Sequence, residues 1–258
     1  MTCSSLQLRR FDAPTSLCRS LVDALEQELR QLLVQGRVAR PLGLATGRTM
    51  EPVYTGLVQR LQGWSGSDRQ RLRLVWSSFN LDEYIGLASG DPRSYRSFME
   101  TWLGQPLQLP SLSLRVPDGQ AIDPTAAAEH YSRSVQASGG IGLQLLGLGA
   151  NGHVGFNEPP CGPEQTCHVV TLSEATRHQN AMMFGGNPAA VPHQAITLGV
   201  AEILAAREIH LVVTGRSKAP ILARLLAMQR PDPSLPASWL LEHARVQLWA
   251  DAEALSLA

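Results

Sequence analysis

The sequence predicts an α/β fold: one domain over residues 1–258 with a mostly parallel sheet and helices on both faces. Three observations carry that expectation. Short apolar runs alternate with segments of helical periodicity along the chain, the pattern of a parallel sheet covered on both sides. Four of those runs end in polar breaks, at 46–49, 80–84, 149–158 and 214–218, and an open parallel sheet binds its ligands at the carboxyl ends of its strands. The 258 residues, 44% hydrophobic and 17% charged, suffice for a substantial core. Such a layout is Rossmann-like.

The first apolar run, "LQLRRF" (6–11), reads as a short strand. Pro14 opens a helix whose Leu17, Leu21, Leu25, Leu29 and Leu32 recur at helical spacing. "ARPLGLAT" (39–46) is extended and runs into Gly47 and Thr49; Val53, Leu57, Val58 and Leu61 then mark a second amphipathic helix. "LRLVWSSF" (72–79) reads as a strand with the basic cluster "RQRLR" (69–73) at its solvated edge, followed by the polar break "NLDEY". "SYRSFMETWL" (94–103) is helix-like and "SLSLRV" (111–116) extended. Asp123 caps and Pro124 begins a helix that runs to about residue 137. "IGLQLLGLG" is a buried strand; "AITLG" (195–199), "VAEILAA" and "EIHLVVTG" (208–215) give strand, short helix and strand. Ser217 is placed to cap a helix carrying Ile221, Leu222, Leu225 and Leu226, and "ARVQLWA" (244–250) closes as a strand. "RPDPSLP" (230–236) reads as a surface loop, and no repeat or low-complexity tract interrupts the pattern.

Composition excludes several functions. Lys and Arg number 22, Asp and Glu 22, and the basic residues are scattered, so no face is built for nucleic acid. No apolar run approaches the roughly 18 residues of a membrane span, and the N-terminus lacks a secretory apolar region, which points to a cytoplasmic protein. Cys3, Cys18, Cys161 and Cys167 are too scattered for a disulfide framework and read as free thiols. Cys161, Cys167 and His168 lack metal-ligand spacing, so no metal is expected. Oligomeric state is open.

The loop "GLGANGHVGFNEP" (147–159) carries G-x-G-x-x-G, but a dinucleotide turn needs a helix straight after the glycines. Here "HVGFNEPP" follows, and Gly155, Pro159 and Pro160 forbid one. Glu174 stands near the position of the acidic residue of such a fingerprint, but without the helix the fingerprint fails. Taken alone the loop is a turn with a histidine. It is not alone: Asp82 and Glu83 lie in another strand-end loop. A histidine near a carboxylate is a proton-transfer pair, in which the carboxylate orients the ring and raises its pKa. "TGRT" (46–49) and "TGRSK" (214–218) each follow a strand and open a helix, offering free backbone N–H groups and basic side chains to an anion. Singly, Thr49 and Ser217 would be ordinary N-caps; two such loops beside an acid–base set favour a phosphorylated small substrate.

"FNLDEYIGL", "LGLGANGHVGFNEP", "LATGRT" and "VVTGRSKA" resemble, in order and spacing, the signature segments of the glucosamine-6-phosphate deaminase family. "SYRSFM" and "AITLGVAEIL" are similar to further family segments, and the resemblance runs from about residue 40 to 250. It implies a sugar-phosphate isomerase/deaminase fold and conversion of glucosamine 6-phosphate to fructose 6-phosphate and ammonia, with no cofactor. It implies that Asp82 is the base moving a proton between C2 and C1, that His153 assists ring opening, and that Glu158 partners it. At Asn151 family members carry Asp or Asn; Asn cannot share charge with His153. Phosphate contacts fall on Thr46, Gly47, Arg48, Thr49 and Lys218, with Gly147 completing the substrate-binding set. There is one departure. The family's phosphate arginine aligns with Met182, while Arg48 stands where the family has Gly or Ser. Either the charge has moved to Arg48, with Arg177 and Arg216 as the other candidates, or the substrate has drifted. A 6-phosphogluconolactonase, a galactosamine-6-phosphate isomerase and a non-catalytic sugar-phosphate sensor are the alternatives. A sensor of the transcription-regulator kind would need a DNA-binding domain ahead of a strand that starts at residue 6.

Overall fold

The computed structural model describes residues 6–35, 40–88 and 90–258; Cys3 and Ala39 lie outside them. The strands are β1 (Leu6–Phe11), β2 (Leu42–Leu44), β3 (Ser78–Asn80), β4 (Asp82–Tyr84), β5 (Leu114–Arg115), β6 (Leu143–Gly147), β7 (His168–Thr171), β8 (Gln194–Thr197), β9 (Glu208–Val213) and β10 (Val246–Asp251). The helices are α1 (Pro14–Gln35), α2 (Glu51–Gln62), α3 (Gly66–Val75), α4 (Tyr95–Met99), α5 (Gln105–Leu107), α6 (Pro124–Ala137), α7 (Glu174–Asn180), α8 (Val200–Leu204) and α9 (Ala219–Ala227).

Seven strands form one sheet in the order β1-β10-β9-β6-β2-β3-β5, every adjacent pair parallel. β2, β6, β9 and β10 are buried at nearly every position, as strands covered on both faces must be. From β2 the chain builds outward through β3 and β5, then returns to β6 and builds the other way through β9 and β10. The reversal lies between β2 and β6, and the loops that leave those two strands diverge there to open a crevice.

The leucine stripe of α1 is buried as its spacing requires, and the helix packs on β1, β10, α2 and α3. The Asp123 carboxylate accepts the N–H groups of Thr125 and Ala126 at 3.0 Å each and starts α6 as read from sequence. The segment 94–103 is helical, as α4 continued by a π-helical turn at Glu100–Gly104. Within 111–116 only Leu114 and Arg115 are strand, after a 3-10 turn at Ser111–Ser113. The 230–236 loop is a turn anchored by buried Leu235 rather than a free surface loop.

The segment 72–79 departs from expectation. It is helical through Val75, and only Ser78 onward is strand. A strand would place Leu72, Leu74 and Trp76 on one face. Instead Leu72 and Trp76 turn inward four residues apart, while Leu74 is 70% exposed. Ser65 caps this helix, accepting the Asp68 N–H at 3.1 Å. The cluster 69–73 therefore lies on α3, not on a strand edge.

A second, antiparallel sheet of three strands, β4-β8-β7, was not legible. "NLDEY" is no simple break: the chain leaves the main sheet after Asn80, turns at Leu81 and enters β4. The 195–199 run supplies β8 of this small sheet, with Asp82 opposite Thr197. No described helix is long and apolar enough to cross a membrane.

Candidate active site

A cavity of about 540 Å³ opens at the β2/β6 divergence. The turn after β2 supplies Thr46, Gly47, Arg48 and Thr49 to its wall; the β3–β4 crossing supplies Asp82, and β6 with its loop supplies Gly147 and His153. Lys218 enters from the segment after β9. The structure thus brings eight of the ten predicted residues to one cavity, with the remaining two, Asn151 and Glu158, directly behind His153.

Asp82 is 6% exposed, and no donor reaches its carboxylate among the described residues. Burial, with the neighbouring Glu83 charge adding to it, pushes its pKa well above the usual carboxylate range. Glu83, one residue on in a strand, points elsewhere. Its carboxylate accepts the N–H groups of Tyr84, Tyr95 and Arg96 at 2.9, 3.0 and 2.8 Å and so holds the start of α4. The two acids therefore divide the work: one is left unpaired in the cavity, and the other fixes Tyr95 in the cavity wall. The Tyr95 hydroxyl donates to Tyr84 at 3.1 Å, and both Tyr95 and Thr46 line the cavity.

His153 is buried, and the absence of a side chain at Gly149 makes room for it: a Cβ there would collide with the imidazole. Its Nδ1 lies 4.0 Å from Glu158 Oε2, beyond hydrogen-bond reach. Thr176, on α7, stands beside the gap: its hydroxyl lies 3.3 Å from His153 Nδ1 and accepts from Ser173 Oγ at 3.1 Å, and it helps hold the Glu158 carboxyl low. Asn151 donates from Nδ2 to Glu158 at 2.6 Å, and its Oδ1 accepts the His153 backbone N–H at 3.2 Å. Asn151 is thus a clamp on the pair. Burial alone would raise the Glu158 carboxyl. Hydrogen bonds from Thr176, the Ser173 N–H and Asn151, together with the coupling to His153, hold it below its usual value. The expectation that the carboxylate raises the histidine pKa is outweighed. Glu158 does pull it up, but burial dominates, Lys218 opposes protonation too, and the imidazole is pushed down to about 4. At neutral pH the pair is a neutral ring beside a carboxylate.

The anion-binding loops differ from each other. In the first, Met50 N–H bonds Gly47 O at 2.8 Å, while the N–H groups of Arg48 and Thr49 have no protein acceptor among the described residues. Thr49 does not cap α2; the cap is Met50, without a side-chain bond. Arg48 is exposed on the cavity wall. In the second loop, Gly215 N–H is already bonded to Asp251 at 3.0 Å, so the segment is no repeat of the first. Ser217 does not cap α9 but sits exposed in a 3-10 turn, and Arg216 is exposed away from the cavity. This loop supplies Lys218, whose pKa burial lowers. Met182 and Met183 also line the cavity; Arg177 does not. No group of three or more His, Cys, Asp or Glu side chains is placed to hold a metal ion among the described residues. Cys18, Cys161 and Cys167 are free thiols.

Thr176 and Gln179 were missed because α7 carries no motif. Their only sequence signal is a spacing of three on one helix face next to the polar "HQN" stretch.

The model of the "Glucosamine-6-phosphate isomerases/6-phosphogluconolactonase" family matches residues 12–249. A glucosamine-6-phosphate deaminase of Geobacillus sp. (strain WCH70) is 42% identical over 216 residues, 84% of this chain and 83% of that protein. One from Rhodopirellula baltica is 40% identical over 225 residues, 87% of this chain and 86% of that protein. The structure of a monomeric glucosamine-6-phosphate deaminase superposes with a TM-score of 0.83 at 33% identity, covering 98% of this chain and 100% of that one. The 6-phosphogluconolactonase of Thermotoga maritima, at 18% identity and a TM-score of 0.70 over 95% of this chain and 98% of its own, shares the fold alone. The chain belongs to the glucosamine-6-phosphate isomerase/6-phosphogluconolactonase family.

Proposed function

We propose that this enzyme converts glucosamine 6-phosphate to fructose 6-phosphate and ammonia. The observation that carries the reading is Asp82, a buried carboxylate without a hydrogen-bond donor, facing the same cavity as His153, with Thr176 and Glu158 behind the ring. An unpaired carboxylate with a raised pKa is costly to fold around and is useful as a base.

The pyranose ring must open before C1 can react. His153 Nδ1 faces the Thr176 hydroxyl and the Glu158 carboxylate, which favours the proton on Nδ1 and leaves Nε2 as the lone-pair nitrogen. A neutral imidazole in that tautomer takes the proton from the C1 hydroxyl and delivers it to the ring oxygen. Asp82 then removes the C2 proton, giving an enolamine, and returns a proton to C1. Water hydrolyses the resulting C2 imine, and the nitrogen leaves as ammonia. The phosphate lies between the free N–H groups of Arg48 and Thr49 and the charges of Arg48 and Lys218. The thioethers of Met182 and Met183 supply no charge. A small charged substrate and free thiols fit a cytoplasmic enzyme.

A substrate panel tests the reading. Ammonia release from glucosamine 6-phosphate, exceeding both release from the galactosamine epimer and hydrolysis of 6-phosphogluconolactone, supports it. Faster lactone hydrolysis refutes it.

A further inference from the structure

Thr176 and Gln179 stand three residues apart on α7: Gln179 lines the cavity, and Thr176 lies buried behind it against His153. Thr176 serves the acid–base pair. Gln179 does something different. Its Oε1 accepts two hydrogen bonds at once, from the Ala150 backbone N–H at 2.9 Å and from Lys218 Nζ at 3.1 Å. Both partners are donors, so the atom facing them must be the amide oxygen. Among the described residues no other side chain bonds Lys218.

We infer that Gln179 is a positioning residue for the phosphate, holding the Lys218 ammonium in the cavity and tying it to the loop that carries His153. The inference rests on the reading of the cavity as a phosphate-ester site. A lysine is a point charge on a four-carbon stem with many rotamers, and ordering it costs binding free energy. A fixed acceptor meets that cost before the ligand arrives. An ammonium has three N–H donors, so one bond to Gln179 leaves two for phosphate oxygens. The acceptor must also be neutral. A carboxylate at 179 would pair with Lys218 and repel the ligand. Burial already disfavours the charged ammonium, so the amide dipole helps keep Lys218 protonated without cancelling it. The bond to Ala150 matters equally, because it fixes the amide oxygen against the start of the "NGH" turn.

The test is a double-mutant cycle with two readouts: KM and kcat on glucosamine 6-phosphate, and direct calorimetric binding of inorganic phosphate. Gln179→Met should raise KM and the phosphate Kd by about 3–10-fold with kcat within about twofold. Gln179→Glu should raise both by about 30–100-fold. In a Lys218→Met background, Gln179→Met should change neither, since nothing is left to position. The inference is overturned if Gln179→Met leaves phosphate binding unchanged, if its effect persists in full without Lys218, or if Gln179→Glu binds phosphate as wild type does. Wild-type protein that binds no phosphate overturns the phosphate-ester reading itself. Wild-type protein that binds phosphate but does not turn over glucosamine 6-phosphate overturns only the proposed reaction, and the binding arm still decides the role of Gln179.

Discussion

Replacing Asp82 by Asn should move activity and stability in opposite directions. The substitution keeps the shape of the side chain and removes its basicity. Loss of a general base costs about 10²–10⁴-fold, so kcat should fall at least about 100-fold with KM largely kept. The stability effect follows from the same burial. Asp82 is 6% exposed with no hydrogen-bond donor, and burial penalises its charged form, a penalty that a neutral amide of the same shape does not carry; each pKa unit of that penalty is worth about 1.4 kcal/mol. For a protein of this size each kcal/mol moves Tm by about 2–4 °C, so the Asn variant should melt higher at pH 7, by about 3–6 °C for each pKa unit by which burial raises Asp82. The pH dependence fixes the sign. The folded pKa of Asp82 lies above its unfolded value, so the wild-type protein is favoured below the unfolded value of about 4 and loses that contribution as pH rises through the folded pKa. The Asn variant has no such loss, and its advantage should shrink toward pH 4. Ammonia release gives kcat, and thermal unfolding at pH 7 and pH 4 gives the rest. Near-wild-type turnover would remove Asp82 from the mechanism. A variant destabilised equally at both pH values would refute the unpaired buried carboxylate.

Three further outcomes follow from the same site. Glu158→Gln should lower the His153 pKa below its present value of about 4, because the Glu158 charge now works against burial; an NMR titration showing no change would mean the two side chains do not interact. Arg48→Ser should raise KM about 10–100-fold, the worth of one charge-assisted hydrogen bond, and adding Met182→Arg should recover part of it; steady-state kinetics with an unchanged KM would leave Arg48 a solvated side chain. Gly149→Ala puts a methyl group into the His153 imidazole, and displacement of the ring should cost about 100-fold in kcat while the protein still folds; full activity with an unmoved His153 resonance would contradict the packing.

Local rules made much of this molecule readable. The α1 leucine stripe, the Asp123–Pro124 start of α6 and the apolar runs of β6, β9 and β10 each follow from a few neighbouring residues. The cavity was readable too, because four polar breaks at strand ends of a parallel sheet have one place to meet. What failed depended on partners far away in sequence. β4, β7 and β8 are strands of three or four residues whose register pairs Asp82 with Thr197 and Thr197 with His168. Nothing local marks them. Leu72 and Leu74 show the other failure: "LRLVW" satisfies a period of two in composition, while the Ser65 cap upstream had already committed the segment to a helix. Within the site, Asp82 and Glu83 were indistinguishable by type, and only the alternation of the strand separates base from helix anchor. The histidine–carboxylate pair was visible, but the 4.0 Å gap beside which Thr176 stands was not, nor was burial strong enough to keep the ring neutral.

The most direct measurement is the stoichiometry of a single turnover mixture: glucosamine 6-phosphate incubated with the wild-type protein and followed by NMR for fructose 6-phosphate, with ammonium assayed in the same sample. The proposed mechanism requires one fructose 6-phosphate and one ammonium for each glucosamine 6-phosphate consumed, with the initial rates of both falling together at least about 100-fold when the Asp82→Asn protein is used. Unconsumed glucosamine 6-phosphate, or ammonium released without the ketose, would contradict it.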